Sequence, residues 1–388
     1  MDVSGSVISQ EEYVGRVAAI QAAMVQHGYD ALVLFADPIR SSNVRYIVDF
    51  RPIDGVSDIT WAVAVVPAQG DPTLFVSQMN LLWAKEVAWF GAAPFSDLSR
   101  ALSGLRTGAG GVDKVGVVGQ YFMPVAINDI IRGAFGLSSV KVEPAEHLLA
   151  PIKAKKSPRE VELLRRAGEL TAIGLDAIKD AVLAPGRKTE RDVALKATAE
   201  IINRGGDGPT FDIQIQSGIH ASYNNIRSTN REIVAGDSLL LEMGARYQGH
   251  VTDIARGATL GQDLDPRQLE IIEAAARALE AGCAAVRPGM RAGDLNDVIE
   301  KKLTDDGYLE FSGEARGYGT GHGIGTDVEE EEPWIRPGSD FILEENMAMA
   351  LKASIFIPGL AGVRVEDNLF VTTTGADVYT PYPRVLQW

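Results

Sequence analysis

Near its C-terminus the chain reads Gly362-Val-Arg-Val-Glu-Asp-Asn368. Successive side chains of a β-strand point to opposite faces, so a strand here puts Arg364, Glu366 and Asn368 on one face and the two valines on the other. The valine face predicts contact with a core. The other face carries a base, an acid and an amide in one row, and this row is the first candidate for a functional site.

Two more acids lie on strand-like sequence upstream. Glu242 interrupts the apolar run Ser238-Leu-Leu-Leu-Glu-Met, and Asp253 lies on the next predicted strand, after a turn-like segment at 246–249. A single acid in an apolar strand is equally well explained by a salt bridge. It is the joint pattern with Glu366 that predicts a site.

A histidine and a lysine complete this pattern. His322 lies in Gly317-Tyr-Gly-Thr-Gly-His-Gly-Ile-Gly325, where the flanking glycines permit close backbone approach. Lys352 lies in the run Met347-Ala-Met-Ala-Leu-Lys352, which is too apolar for a solvated lysine. A charged partner is therefore expected for Lys352.

The composition excludes several classes of function. The 388 residues are 46% hydrophobic and 23% charged, with a formal net charge of -15. This charge argues against nucleic acid and against an anionic membrane surface as partners, because both require a basic footprint. No run of about 18 apolar residues is present, and the single Cys283 cannot form an internal disulfide. We expect a cytoplasmic protein that acts on a small molecule.

The sequence predicts two domains. Alternating helix-like and strand-like segments over residues 1–150 predict an α/β domain. Ser157, Pro158 and Glu160 then form a capping box that opens a long helix, and residues 151–388 are predicted as a second domain. Inside it, a helix pair at 172–205 is echoed at 274–307, and strand-rich sequence follows each pair. Two similar α+β halves are expected, with the site in a cleft between them.

With these motifs the chain resembles the pita-bread superfamily, which includes creatinase, Xaa-Pro aminopeptidase, prolidase and methionine aminopeptidase. The resemblance covers nearly the whole chain and implies an α/β N-terminal creatinase-like domain followed by an α+β C-terminal pita-bread catalytic domain. The motifs that carry it are Ile152-Lys153, Ser157-Pro158-x-Glu160, Ser217-Gly218, Glu242-x-Gly244, Gly249-x-x-x-Asp253, Gly321-His-Gly-Ile-Gly325 and Gly362-Val-Arg-Val-Glu-Asp367.

In the metallopeptidase members these motifs supply two aspartates, one histidine and two glutamates to a dinuclear metal centre. The matching positions here are Glu242, Asp253, His322, Lys352 and Glu366. An ammonium cannot bind a divalent cation, and two such ions plus Lys352 would exceed the charge of the three carboxylates by two. The resemblance therefore implies a site without the dinuclear centre. Two alternatives stay open: no cofactor, or one divalent metal ion held by Glu242, Asp253 and Glu366.

The substrate side of the site also departs from the family. The peptidases and creatinase place a histidine where this chain has Asn224, and the peptidases place another where this chain has the run Glu329-Glu-Glu-Glu332. Asn224, His220, Glu329 and Arg364 are therefore the candidate substrate-binding residues. The acidic run is more simply explained as a solvated loop, and His220 as a structural residue.

The leading prediction is a hydrolase that cleaves a C–N bond in a small nitrogenous molecule, as creatinase and ectoine hydrolases do, without a dinuclear centre. His322 and Glu366 would transfer protons, helped by Asp253, while Lys352 stabilises developing negative charge. The alternatives are a mononuclear metal-dependent hydrolase similar to Xaa-Pro dipeptidases, a non-catalytic binding protein, and a C–S lyase on the same scaffold. The resemblance also implies a homodimer in which residues 43–58 of one subunit help to close the site of the other.

Overall fold

The structure is a computed structural model of the chain, and it describes residues 8–51, 60–107, 111–136, 139–261, 264–312 and 318–388. Contacts within the chain divide it into two compact units, residues 1–153 and 154–388. Among the helices of the described ranges, none is both long and apolar enough to cross a membrane.

The first unit is an α/β domain with a mixed sheet in the strand order β4-β3-β2-β1-β5-β6. Its elements are α1 Gln10–His27, β1 Ala31–Ala36, α2 Ser42–Arg45, β2 Ala62–Pro67, β3 Thr73–Val76, α3 Leu81–Val87, β4 Gly91–Pro94, α4 Leu98–Thr107, β5 Lys114–Val118, α5 Val125–Phe135, β6 Lys141–Pro144 and α6 Glu146–Ala154.

The central strand β1 shows why this sheet is covered on both faces. Leu32 and Leu34 pack in a core cluster with residues of α1, whereas Val33 and Phe35 pack in a second cluster with residues of α4 and α5. A continuous apolar strand needs apolar cover on each side, and helices on both faces provide it.

The second unit pairs helices with a larger sheet. Its elements are α7 Pro158–Leu183, α8 Glu190–Asn203, β7 Gly208–Pro209, β8 Gln214–Ser217, β9 Ser238–Met243, β10 Ala245–Tyr247, β11 His250–Val251, β12 Ile254–Thr259, α9 Pro266–Ala285, α10 Ala292–Asp305, β13 Gly321–Gly323, β14 Glu330–Ile335, β15 Ala348–Ile357, β16 Ala361–Thr372, β17 Gly375–Val378 and β18 Val385–Gln387. The sheet runs β14-β13-β15-β16-β12-β9-β8, with β17 beside β16 and β18 beside β12, while β11, β10 and β7 form a small sheet.

The helix starts follow the local sequence. Ser157 accepts a hydrogen bond from the backbone N–H of Glu160, and the Glu160 side chain accepts one from the backbone N–H of Ser157, so the predicted capping box is present at α7. Thr189 and Asp192 form the same arrangement at α8. The helix hairpins α7–α8 and α9–α10 are the two predicted helix pairs.

One face of the large sheet is apolar and the other is polar. Leu351 and Ile355 of β15 and Val363 and Val365 of β16 pack in the core cluster that contains α9 and α10. The intervening residues of both strands point to the opposite face. The two-residue period of the sequence therefore places the polar row of β16 on the side away from these helices.

Candidate functional site

The three carboxylates share one face of the sheet. Glu242 of β9 lies opposite Ala255 of β12 in the strand register, and Ala255 lies opposite Glu366 of β16. Directly opposed residues of antiparallel strands point to the same face, and Asp253 is two residues before Ala255. All three carboxylates are buried, and their strands bring them together from distant parts of the sequence.

His322 and Lys352 join this face from the neighbouring strands. His322 of β13 lies opposite Ala350 of β15, and Lys352 of β15 lies opposite Glu366. The glycines beside His322 are required by packing. A Cβ on Gly321 would lie 2.4 Å from the carbonyl oxygen of Ala350, and one on Gly323 would meet the next strand as closely.

The closest group of ligand-type atoms is formed by Asp253, His322 and Glu366, whose atoms all lie within 4.8 Å of one another. The Nε2 atom of His322 is 3.7 Å from Oδ2 of Asp253 and 3.6 Å from Oε1 of Glu366. These distances are too long for good hydrogen bonds. They match the separation of roughly 3–4 Å expected for two atoms that each lie about 2.1 Å from a shared metal ion.

The tautomer of His322 points to the same conclusion. Its Nδ1 atom lies 3.1 Å from the carbonyl oxygen of Gly323, an acceptor, so Nδ1 carries a proton. With Nδ1 protonated, a lone pair on Nε2 would face the two carboxylates. Only a proton or a cation between these groups relieves the repulsion, and a metal-ligating histidine is held by its second nitrogen in this way.

Within the part of the chain that the structure describes, several buried atoms of this triad have no hydrogen-bond partner: Nε2 of His322, Oδ1 of Asp253 and both carboxylate oxygens of Glu366. Unpartnered buried acceptors are costly and rare in proteins. Their number and mutual spacing fit one divalent cation, so the donor set of this site suits a single metal ion.

Asn368 orients one member of the triad. Its side-chain Oδ1 accepts a hydrogen bond of 2.8 Å from the backbone N–H of Asp253, and its Nδ2 donates one of 2.6 Å to the carbonyl oxygen of Asp253. The polar row of β16 thus includes a residue that fixes the backbone of a residue 115 positions away.

The sequence predicts Glu242 as a ligand of a single metal ion, whereas the structure pairs it with Arg364. Nη1 of Arg364 donates a hydrogen bond of 2.6 Å to Oε1 of Glu242, and both groups are buried. The guanidinium also donates to Oδ1 of Asn224 at 2.8 Å and to Oδ1 of Asn225 at 3.1 Å. The closest cluster therefore contains His322 and not Glu242, one oxygen of which is bonded to Arg364.

Burial and charge set the pKa values of the carboxylates. Burial, together with the charges of Glu366 and Glu242, raises the pKa of Asp253 well above its usual value. Burial raises the pKa of Glu242 as well, although Arg364 opposes it. Burial would also raise the pKa of Glu366, but the charge of Lys352 and the nearby His322 outweigh it and lower that pKa to about 2.

The remaining predicted substrate-side residues lie in separate surroundings. Nδ1 of His220 lies 3.1 and 3.2 Å from the two carboxylate oxygens of Glu190, a buried residue that also accepts hydrogen bonds from Ser217. Glu329 accepts a hydrogen bond of 3.2 Å from the hydroxyl of Tyr318. His250 is buried on β11 with Nε2 3.9 Å from Glu160, outside the triad.

The acidic run corrects one expectation. Its interpretation as a solvated loop is wrong, because Glu330 begins strand β14 and is buried. Nζ of Lys156 lies 2.6 Å from Oε2 of Glu330, and this ion pair compensates the buried charge. Asn225 is a site residue that the sequence analysis missed. Its only sequence signal is its position beside Asn224, and its backbone has a positive φ of 53°, which the sequence does not specify.

The comparisons with known proteins agree with the motifs. The model of metallopeptidase family M24 matches residues 162–373, and the model of the creatinase/prolidase N-terminal domain matches residues 16–152. An Xaa-Pro dipeptidase of Lactobacillus helveticus is 31% identical over 66% of this chain and 68% of that protein. An Xaa-Pro dipeptidase of Pyrococcus horikoshii is 24% identical over 96% of this chain and 98% of that protein.

Solved structures show the same architecture. The dipeptidase PepE of Mycobacterium ulcerans superposes with a TM-score of 0.84 at 28% identity, over 98% of both chains. The predicted resemblance and the predicted fold class, an α/β N-terminal domain followed by an α+β pita-bread domain, are confirmed.

Proposed function

The chain belongs to metallopeptidase family M24, and on this premise we propose that it is a hydrolase that cleaves a C–N bond with one divalent metal ion held by Asp253, His322 and Glu366. The observation that carries the proposal is the set of buried, mutually close ligand atoms that lack hydrogen-bond partners among the described residues. The relatives named Xaa-Pro dipeptidase support an amide bond as the target.

The expectation of a site without a cofactor is therefore replaced by its alternative, a mononuclear metal-dependent hydrolase. A lysine can neutralise carboxylates, but among the described residues both oxygens of Glu366 have no hydrogen-bond partner. A bound divalent ion would supply a Lewis acid and an activated water. Mn²⁺ and Zn²⁺ are both compatible with a set of two carboxylates and one imidazole.

Residues of the site would orient the metal ligands, keep Glu366 ionised and accept a proton. Asn368 and the Nδ1 bond of His322 hold two ligands in fixed orientations. Lys352 keeps Glu366 ionised and available as a ligand. Glu242 has one oxygen bonded to Arg364, while its buried Oε2 has no hydrogen-bond partner in the described residues. We propose this free carboxylate oxygen as the proton acceptor.

The test combines elemental analysis with turnover of Xaa-Pro dipeptides and N-acylprolines. We expect about one metal per chain, loss of activity after chelation, and its return with Mn²⁺ or Zn²⁺. Glu366→Gln and His322→Ala should each abolish metal binding and turnover while circular dichroism stays unchanged, and Asp297→Asn on the solvent face of α10 is the matched control. Full activity in a preparation freed of metal would refute the proposal.

We also propose that the active form is a homodimer with a small-molecule substrate. This follows from the family resemblance, and the composition argues against nucleic acid and membranes. Of the predicted closing segment 43–58, residues 52–58 lie outside the described residues. Sedimentation equilibrium that returned the mass of a single chain at micromolar concentration would contradict the dimer.

A further inference from the structure

Strand β12 carries a fully buried arginine on the reverse face of the large sheet, the face away from the triad. Ala255 faces the site opposite Glu366 in the strand register, so the next residue, Arg256, points to the reverse face. The side chain of Arg256 is 0% exposed. Arginine is almost never fully buried unless it is paired, and the charged partner of this one lies on β16.

The guanidinium of Arg256 holds the backbone of a proposed metal ligand together with the side chain of the next residue. Nη1 of Arg256 donates a hydrogen bond to the backbone carbonyl oxygen of Glu366. Nη2 donates one of 2.7 Å to Oδ1 of Asp367. A planar guanidinium binds two acceptors at fixed angles. Arg256 therefore links β12 to β16 at the residue that supplies a carboxylate to the triad.

The backbone ladder between these two strands is short. Among the described residues, β12 and β16 are registered at one pair, Ala255 and Glu366, whereas β15 and β16 are registered along their length. Asp253 lies just before β12, and Glu366 lies on β16. The separation of these two ligands is therefore not fixed by a continuous ladder of backbone hydrogen bonds.

Two side chains complete the link, one from each face of the sheet. On the site face, Asn368 of β16 bonds to the backbone of Asp253. On the reverse face, Arg256 of β12 bonds to the backbone of Glu366. Each bridge runs from one strand to the backbone of a ligand supplied by the other, so the two bridges together define how far apart these ligands lie.

Stability alone does not account for a charged group at this position. Replacing a buried ion pair with apolar residues of similar size is often neutral or stabilising. Nε of Arg256 has no hydrogen-bond partner in the described parts of the chain, so the guanidinium is not fully satisfied. Its orientation is nevertheless fixed, because Nη2 also donates to the carbonyl oxygens of Thr380 and Tyr382 at 3.3 and 3.1 Å.

We infer that Arg256 is a positioning residue that sets the separation of Asp253 and Glu366 from the reverse face of the sheet. The inference rests on the proposed function, because metal binding reports this separation. Ligands held at a fixed separation favour ions of one size, whereas flexible ligands adapt to larger ions. Arg256 therefore controls which ion binds as well as how tightly it binds.

A second arginine provides the matched control. Nε of Arg384 donates a hydrogen bond of 2.8 Å to Oδ2 of Asp367, so the two arginines bind the two oxygens of one carboxylate. In the part of the chain that the structure describes, Arg256 bonds to the carbonyl oxygen of Glu366 and Arg384 does not. Removing Arg384 therefore disturbs the same buried charge and leaves the bridge between the strands in place.

The test titrates chelator-treated protein with Zn²⁺ and with the larger Cd²⁺ by isothermal titration calorimetry, without substrate. Arg256→Lys keeps a cation beside Asp367 but loses the fork, and it should bind Zn²⁺ about 10–100-fold more weakly, with less than a threefold loss for Cd²⁺. Arg384→Met should keep both affinities within twofold of the wild type. Arg256→Met should show the same change in ion preference as Arg256→Lys, and if it fails to fold, the lysine variant decides.

The outcomes separate the positioning role from the proposed function. An unchanged Zn²⁺ affinity in Arg256→Lys, an equal loss for both ions, or the same change in Arg384→Met would overturn the positioning role. A wild type that binds neither ion would refute the proposed function. Crystal structures of metal-free wild type and Arg256→Lys would then decide the positioning role, which predicts that the carboxylates of Asp253 and Glu366 separate by roughly 0.5 Å or more; an unchanged separation would overturn it.

Discussion

Replacing Asp253 with asparagine should change the stability of the protein in opposite directions with and without metal. In the metal-free protein, the amide would place an NH2 donor beside two buried acceptors, Nε2 of His322 and a carboxylate oxygen of Glu366. Nε2 of His322 lies 3.7 Å from Oδ2 of Asp253, and the ligand atoms of Asp253 and Glu366 lie within 4.8 Å of each other. An unsatisfied buried polar group costs about 1–3 kcal/mol. A gain of about 2 kcal/mol corresponds to about 4–8 °C in the melting temperature of a domain of this size.

With metal present, the order of stability should reverse. The wild type gains about 2.7 kcal/mol when the free metal concentration is 100 times its dissociation constant, whereas Asp253→Asn loses a charged ligand and most of this gain. Differential scanning calorimetry with chelator and with Mn²⁺ measures both orders. A variant that is less stable than the wild type under both conditions would refute the assignment of Asp253 as an unpartnered ligand, and Asp297→Asn should show neither effect.

The same variant has a defined pH dependence. The raised pKa of Asp253 in the folded state means that its contribution to stability is present at low pH and is lost as the pH rises through the folded-state pKa. The stability advantage of Asp253→Asn without metal should therefore grow with pH. Metal binding to the wild type should strengthen over the same pH range, because the carboxylate must be ionised to bind.

Three further predictions follow from the charges around the triad. Lys352→Glu should raise the metal content from one to two ions per chain in elemental analysis, because it adds a carboxylate opposite Glu366; an unchanged content would contradict the view that this lysine excludes the second ion. Arg364→Met should cost about 3–5 kcal/mol in urea unfolding, because it leaves Glu242 buried without its cation; a loss below 1 kcal/mol would show that the pair is not essential. Asn368→Ala should weaken metal affinity about 10–100-fold with little change in fold, and a calorimetric titration that returned the wild-type affinity would count against its orienting role.

Local sequence predicted those features that depend on a few consecutive residues. The capping box at Ser157 and Glu160 needs only its own four residues, and the structure contains both of its hydrogen bonds. The alternation in 362–368 predicted which side chains of β16 point away from the valines, because the two-residue period of a strand needs no partner strand. The motif-based family assignment rests on the same kind of local signal.

The acidic run shows where local reasoning failed. Four consecutive glutamates are usually solvated, and nothing within the run indicates that Glu330 is buried. Its burial depends on Lys156, which lies 174 positions earlier in the chain. The pairing is a property of the folded unit, so only the structure could reveal it.

The sequence by itself determined the capping box of α7, the two faces of β16, and the presence of one histidine, three acids and one lysine at the family's site positions. The tertiary structure decided how those charges are shared. Arg364 bonds to Glu242 across 122 positions, and Asp253, His322 and Glu366 form the closest set of ligand atoms. The physical reason is that charge compensation depends on distances of a few ångströms between strands, whose register is set by packing over the whole sheet.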